Sequence, residues 1–261
     1  MKVHTALADW RLERRALDGA RLGFVPTMGA LHAGHRSLVN ASLEADAVTV
    51  VSIYVNPTQF DRPEDLAAYP RDLEQDLALL EDWGAQHVLC PRYEDIYPDG
   101  FRYRVVESGL SERWCGAHRP GHFEGMLTVV LRLLNLVRPA RAYFGEKDYQ
   151  QLLLVRGMVE ALFLDVDIVG CPIVREADGL AMSSRNRRLD PAQRSRAAAL
   201  NRELRRAASA GEAAASLEQQ GFKVEYVDDH QGRRLAAVQL GEVRLIDNVP
   251  LAADTEYAHD H

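Results

Sequence analysis

The run Val48–Val55 (VTVVSIYV) is almost wholly β-branched or apolar and presents no polar face. A strand of that kind must be covered on both sides, which is the situation of a central strand in a parallel sheet and not of a half-exposed hairpin. Its neighbours fit that expectation. Arg21–Pro26 (RLGFVP) reads as a short strand, and Gly34–Ala45 follows with helical periodicity. Asp72–Trp83 is a helix with Leu73, Leu77 and Leu80 along one side, and Gln86–Cys90 is a strand ended by Pro91. Next come an apolar helix over His122–Val137, a strand over Ala140–Phe144, a helix over Tyr149–Phe163 and a strand over Val166–Val174. The Leu127, Leu131 and Leu134 stripe of the His122–Val137 helix is core or a dimer seam.

Strand and helix in alternation imply right-handed crossovers, hence an α/β, doubly wound, Rossmann-like parallel sheet. Ligands bind such sheets beyond the carboxyl ends of the strands. After the polar loop Asp178–Asn186 the pattern changes to one Arg- and Ala-rich helix, Pro191–Ala210. Strand-like runs follow at Lys223–Val227 and Glu242–Ile246, with Arg234–Leu240 a third possibility. The expected division is a catalytic domain over residues 1–188 and a small α+β domain over 189–261. The final AADTEYAHDH (residues 252–261) is expected to fray.

Composition narrows the function. A formal net charge of -7 supplies no general field for phosphate backbones, so nucleic acid is not the expected partner. Cys90, Cys115 and Cys171 are dispersed and odd in number, which suits a reducing cytoplasm better than a disulfide framework. No stretch approaches the length of a membrane span.

Three motifs carry chemistry. Pro26-Thr27-Met28-Gly29-Ala30-Leu31-His32-Ala33-Gly34-His35 lies between the first long strand and its helix. In that context His-x-Gly-His offers two imidazoles to phosphate oxygens, a glycine that lets backbone approach, and a helix N-terminus that favours anions. A pair of capping histidines or a metal pair are the competing readings. Gly145-Glu146-Lys147-Asp148 follows another strand, and Lys147 is one of only three lysines, with Lys2 and Lys223, in a chain that otherwise uses arginine. A lysine at that edge reaches a phosphate as a compact charge, and Asp148 is placed to cap the next helix. Met182-Ser183-Ser184-Arg185 supplies hydroxyls and a guanidinium in a loop, a plausible phosphate clamp. Cys115, His118 and His122 invite a zinc reading, but Pro120 and Gly121 interrupt the helix that would align the histidines.

Phe24–His35, Val51–Phe60 (VSIYVNPTQF), Asp65–Arg71, Arg119–Val130 (RPGHFEGMLTVV), Tyr143–Gln151 (YFGEKDYQQ) and Val174–Leu189 together resemble the pantothenate synthetase (pantoate–β-alanine ligase) family over nearly the whole chain. The resemblance implies that ATP activates the carboxylate of pantoate as an acyl-adenylate, releasing pyrophosphate, and that β-alanine then displaces AMP. It implies a nucleotide site of Pro26 to His35, Gly145 to Asp148, Val174 and Met182 to Arg185. Within it His32 would be the general acid, His35 a phosphate partner, and Lys147 and Arg185 the main cations. Gln59 and Gln151 would hold pantoate, Asn56 would support that pocket, and Arg119 with His122 would approach the polyphosphate or the amine. Independently of the family, Mg²⁺ is expected with ATP because it bridges phosphate oxygens and usually keeps several waters; Asp76 is a candidate carboxylate near it, and a solvated helix face explains Asp76 about as well. A homodimer is the implied assembly. Departures from the family pattern are Tyr54 for phenylalanine, Met126 for valine, Asp61 for glycine, and a region after Arg188 that is shorter than usual.

Overall fold

The computed structural model describes residues 1–251. The expected frayed tail, 252–261, lies outside the described residues. The chain divides into two compact units, residues 1–174 and 175–261.

In the first unit β1 (Lys2–His4), α1 (Leu7–Ala16), β2 (Leu22–Thr27), α2 (Ala33–Ala45) and β3 (Val48–Ile53) follow in order. Then come α3 (Pro63–Ala67), α4 (Leu73–Trp83), β4 (His87–Leu89), α5 (Tyr93–Ile96), α6 (Cys115–His118), α7 (His122–Val137), β5 (Arg141–Gly145), α8 (Tyr149–Ala161) and β6 (Asp167–Cys171). The six strands make one parallel sheet in the order β1-β4-β3-β2-β5-β6. From β2 the chain moves outward through β3 to β4, then returns to the other side of β2 with β5 and β6. The strand order therefore reverses between β2 and β5, and a crevice at their carboxyl ends is the expected ligand position.

Register explains the core. Val25, Val51 and Val88 lie level on three adjacent strands, all fully buried, and pack with Leu38 and Val39 of α2 and Leu80 and Trp83 of α4. Their neighbours in sequence, Phe24 and Val50, are buried on the opposite face because strand side chains alternate. Of the α7 leucines, Leu127 and Leu134 are buried within the unit, so that stripe is core. Two details differ from expectation. Leu73 at the start of α4 is exposed, and the buried residue of that first turn is Asp76. Tyr54 is buried with its hydroxyl unpartnered, so the oxygen it adds relative to phenylalanine costs some desolvation.

In the second unit the expected single helix is two, α9 (Pro191–Ala197) and α10 (Ala199–Arg206), and a further helix α11 (Ala210–Gln219) follows. An antiparallel sheet, β7 (Lys223–His230), β8 (Arg233–Leu240) and β9 (Val243–Pro250), completes it. Its core includes Leu180, Leu200, Leu204, Leu217 and Val238. The boundary is therefore between Val174 and Arg175, earlier than the expected 188/189. The reason is polar as well as apolar: Arg175 makes a forked pair with Asp247 at 2.7 and 2.9 Å, and Arg175 bridges Ala181 as a short antiparallel contact. Both tie the 175–188 loop to the unit it precedes.

Candidate active site

The strand β2 ends at Thr27, whose Oγ1 donates to the Ser52 carbonyl of β3 at 2.7 Å and accepts from Gly29 N–H at 3.2 Å. The chain then takes two left-handed residues in succession, Gly29 at φ +76° and Ala30 at φ +52°. A Cβ on Gly29 would lie 2.6 Å from Asp76 Oδ2, so this position admits only glycine on both backbone and packing grounds. Ala30 holds a conformation that costs an ordinary residue about 1–2 kcal/mol. The compensation comes from Asp76: its two carboxylate oxygens accept from Ala30 N–H and Leu31 N–H, each at 2.8 Å. Asp76 is 3% exposed. Its carboxylate thus anchors the loop.

The two histidines open α2. Gly34 N–H donates to His32 Nδ1 at 3.1 Å, and His32 N–H donates to His35 Nδ1 at 3.3 Å, a reciprocal cap of the helix. The capping reading is therefore correct as far as it goes. Because an N–H can only donate, each Nδ1 is an acceptor, and the proton of each neutral ring sits on Nε2. The ring centroids are 4.2 Å apart. His35 has its pKa pushed down to about 3, first by burial and then by the charges of His32 and Lys147. His35 is thus a neutral donor throughout the physiological range. Its folded value lies below 6.5, so between about 3 and 6.5 the unfolded chain binds the proton and stability falls as pH drops through that window. Thermal unfolding from pH 7 to pH 4 is expected to show this decline, with a shallower slope in His35→Gln. The slope does not vanish, because His4 and His87 are also lowered by burial. An unchanged slope in His35→Gln would contradict the assignment.

Lys147 follows β5, the strand beside β2, and its charge is felt by His35. Lys147 Nζ lies 3.8 Å from Asp148 Oδ1. Asp148 stands at the N-cap of α8 but makes no side-chain capping bond, contrary to expectation. Gly145 is in ordinary extended conformation, and nothing lies within 4 Å of where its Cβ would be, which leaves room for a ligand to approach.

Of the residues expected on the pantoate side, Asn56, Gln59, Arg119 and His122 form a bonded cluster around the turn after β3. Asn56 is 1% exposed. Its Nδ2 donates to Gln59 Oε1 at 3.0 Å and to the Gly125 carbonyl at 3.2 Å, and its Oδ1 accepts from Tyr97 Oη at 2.8 Å and Thr58 Oγ1 at 3.0 Å. His122 Nδ1 donates to the Gln59 carbonyl at 2.8 Å, and Arg119 donates to His122 Nε2 at 3.0 Å and to the same carbonyl at 3.3 Å. Arg119 also pairs with Asp61 at 3.1 Å. The structure thus gives Arg119 and His122 a hold on Gln59's main chain, and with both ring nitrogens so used His122 is a poor zinc ligand. Gln151 lies half-buried one residue past Gln150. Gln150, which the sequence does not single out, accepts from Cys115 N–H and donates to the Leu110 and Arg113 carbonyls, fixing the 110–115 loop on α8.

Val174 closes the first unit. Met182 to Arg185 belong to the second. There Ser183 Oγ accepts from Arg185 N–H at 3.3 Å and caps a 3-10 turn over Ser184–Arg188, and Asn186 Nδ2 donates to Glu176 at 2.8 Å and to the Ala181 carbonyl at 3.1 Å. Among the described residues no group of three His, Cys, Asp or Glu side chains could hold a metal, and no helix is long and apolar enough to cross a membrane.

The family model of pantoate-beta-alanine ligase matches residues 1–250. The chain belongs to that family. A pantothenate synthetase of Bdellovibrio bacteriovorus is 52% identical over 94% of this chain and 97% of its own length. One from Legionella pneumophila is 50% identical over 95% and 99%. Among solved structures, the pantoate-beta-alanine ligase of Francisella tularensis, complexed with beta-gamma ATP and β-alanine, superposes with a TM-score of 0.91 at 38% identity, covering 96% of this chain and 97% of that one. The pantothenate synthetase of Thermus thermophilus gives 0.88 at 45% identity, over 96% and 99%. These relatives are matched over nearly their whole length, so the short region after Arg188 is no loss relative to them. This ligase is accordingly an enzyme that joins pantoate to β-alanine with ATP, and its fold is the expected parallel sheet with a small α+β unit.

Proposed function

We propose that condensation proceeds through pantoyl adenylate made over the His32–His35 cap. The observation that carries this is the placement of two imidazoles with Nε2–H directed away from the helix cap at the end of β2, next to Lys147 at the end of β5. Pantoate's carboxylate attacks the α-phosphorus, the bond to the bridging oxygen breaks, and pyrophosphate leaves. The two Nε2–H groups and Lys147 meet the charge that develops on the phosphates. The amine of β-alanine then attacks the acyl carbon and AMP departs. No protein nucleophile is required.

In this reading Pro26 to Gly34, Gly145, Glu146, Asp148 and Val174 bind ATP in the first unit, and Met182 to Ser184 with the cation Arg185 are assigned to ATP by the family resemblance. Arg185 lies in the Ser184–Arg188 3-10 turn with Arg187 and Arg188. Gln59 and Gln151 take pantoate's oxygens. His32 acts as a hydrogen-bond donor and not as a full proton donor: with Nδ1 accepting from Gly34, loss of the Nε2 proton would leave an anionic imidazolate. Mg²⁺ is a hard cation that bridges phosphate oxygens and keeps its waters. With Asp76 committed to loop amides, the residues present do not make a protein-held magnesium site. The ion would come with ATP, and no step is assigned to it. Dispersed cysteine thiols support a cytoplasmic location, and a homodimer is the assembly that the family resemblance implies.

The deciding experiment uses pantoate labelled with ¹⁸O in its carboxylate. One labelled oxygen is expected in AMP for each pantothenate formed, with pyrophosphate unlabelled. Label in orthophosphate, with ADP as the nucleotide product, would mean an acyl phosphate and would overturn the adenylate.

A further inference from the structure

We infer that Tyr97 is a positioning residue that acts on pantoate through Asn56 and Gln59. The inference rests on the reading of Gln59 as a pantoate ligand and says how that amide is oriented.

An amide's two ends differ only in hydrogen-bond polarity, so its orientation follows from partners whose polarity is fixed. The chain here starts at a main-chain carbonyl. Gly125 O can only accept, so the Asn56 atom facing it at 3.2 Å must be the NH₂ group. The same NH₂ faces Gln59 at 3.0 Å, which makes the Gln59 atom there the carbonyl oxygen. Gln59 Nε2 is therefore turned the other way, where it meets Met28 Sδ at 3.2 Å. A thioether is a weak acceptor, so a substrate oxygen can displace it. Gln59 reads as a donor only, and a pantoate hydroxyl or carboxylate oxygen is the kind of group that answers it.

The other end of Asn56 has to be satisfied as well, since an unpaired buried oxygen costs about 1–3 kcal/mol. Tyr97 Oη supplies a bond at 2.8 Å and Thr58 Oγ1 another at 3.0 Å, and the two hydroxyls are themselves 3.1 Å apart. Tyr97 is 2% exposed, and Arg132 lies over its ring, 4.9 Å from the centroid. Gly125 keeps the relay close: a Cβ there would fall 2.2 Å from the Thr58 carbonyl. Tyr97 comes from the segment after β4, far from Gln59 in sequence, and its hydroxyl bonds to Asn56 and Thr58, neither of which is assigned to ATP.

Two measurements test this. The first reads the relay itself: with glutamine side chains ¹⁵N-labelled, the Gln59 amide resonance, identified by its loss in Gln59→Ala, is expected to shift in Tyr97→Phe. An unmoved resonance would overturn the relay whatever the substrate. The second is a double-mutant cycle on steady-state kinetics. Tyr97→Phe is expected to raise KM for pantoate about fivefold, the equivalent of one neutral hydrogen bond, with KM for ATP unchanged. In the Gln59→Ala background the same change should alter pantoate KM by less than about twofold, because partners acting through one another are not additive. Equal effects in both backgrounds would reduce Tyr97 to a packing residue. If Gln59→Ala itself leaves pantoate KM untouched while the resonance still shifts, the relay stands and the pantoate assignment of Gln59 falls.

Discussion

His32→Asn is expected to slow pantoyl-adenylate formation by roughly 10²–10³, the loss typical of one preorganised donor to a developing oxyanion. Asparagine is the informative replacement. His32 Nδ1 also accepts from Gly34 N–H at the start of α2, and an asparagine oxygen can take over that cap, whereas alanine would remove cap and donor together. The negative charge on the bridging oxygen grows only as the bond to the α-phosphorus breaks, so ATP binding should suffer far less than the rate. The second half-reaction provides the control. Pyrophosphate has left by then, and supplied pantoyl adenylate should react with β-alanine at nearly the parental rate. Rapid-quench assays of both steps decide the matter, and equal damage to the two would make His32 a structural residue.

Lys147→Ala should cost a comparable amount, about 2.7–4 kcal/mol in the adenylation barrier, if Lys147 acts as one preorganised charge-stabilising group. Lys147 follows β5, the strand paired with β2, and its side chain is only 17% exposed. An ordinary surface ion pair with Asp148 would be worth about 0–1 kcal/mol. The two accounts therefore differ by well over tenfold in rate. There is also a second readout. Lys147 is one of the charges holding His35 down, so its removal should let the His35 pKa rise from its present value near 3, which histidine NMR titration would follow. An adenylation rate within about twofold of parental would leave Lys147 as a surface charge.

What can be read from sequence follows the range of the forces involved. The strands β2, β3 and β5 and the helix α7 are dense in apolar residues, and local periodicity is enough to find them within a residue or two. β1 is three residues long and α1 is mostly polar, with Trp10 its one buried side chain, so neither stands out. α11 is built from alanines with few large apolar groups, and the available signal is its cap: Glu212 N–H donates to Ser209 Oγ while Ala208 N–H donates to Glu212. The split between α9 and α10 has no proline or glycine to announce it. At the site, motif residues adjacent in sequence are legible. Long-range polar partnerships are not. Asp76 reads as one more acid on a solvated helix until the amides of Ala30 and Leu31 are seen against it, and Tyr97 lies 41 positions from Asn56. The unit boundary is hidden for the same reason, because the Arg175–Asp247 pair spans 72 positions.

The carboxylate beneath the Gly29–Ala30 turn sets an order of events during synthesis. A nascent chain that has reached residue 60 already contains β2, the complete His-x-Gly-His segment and β3, yet lacks the residue that holds two successive left-handed positions in place. The turn gains its two carboxylate bonds only after α4 has been synthesised and Asp76 has packed against it.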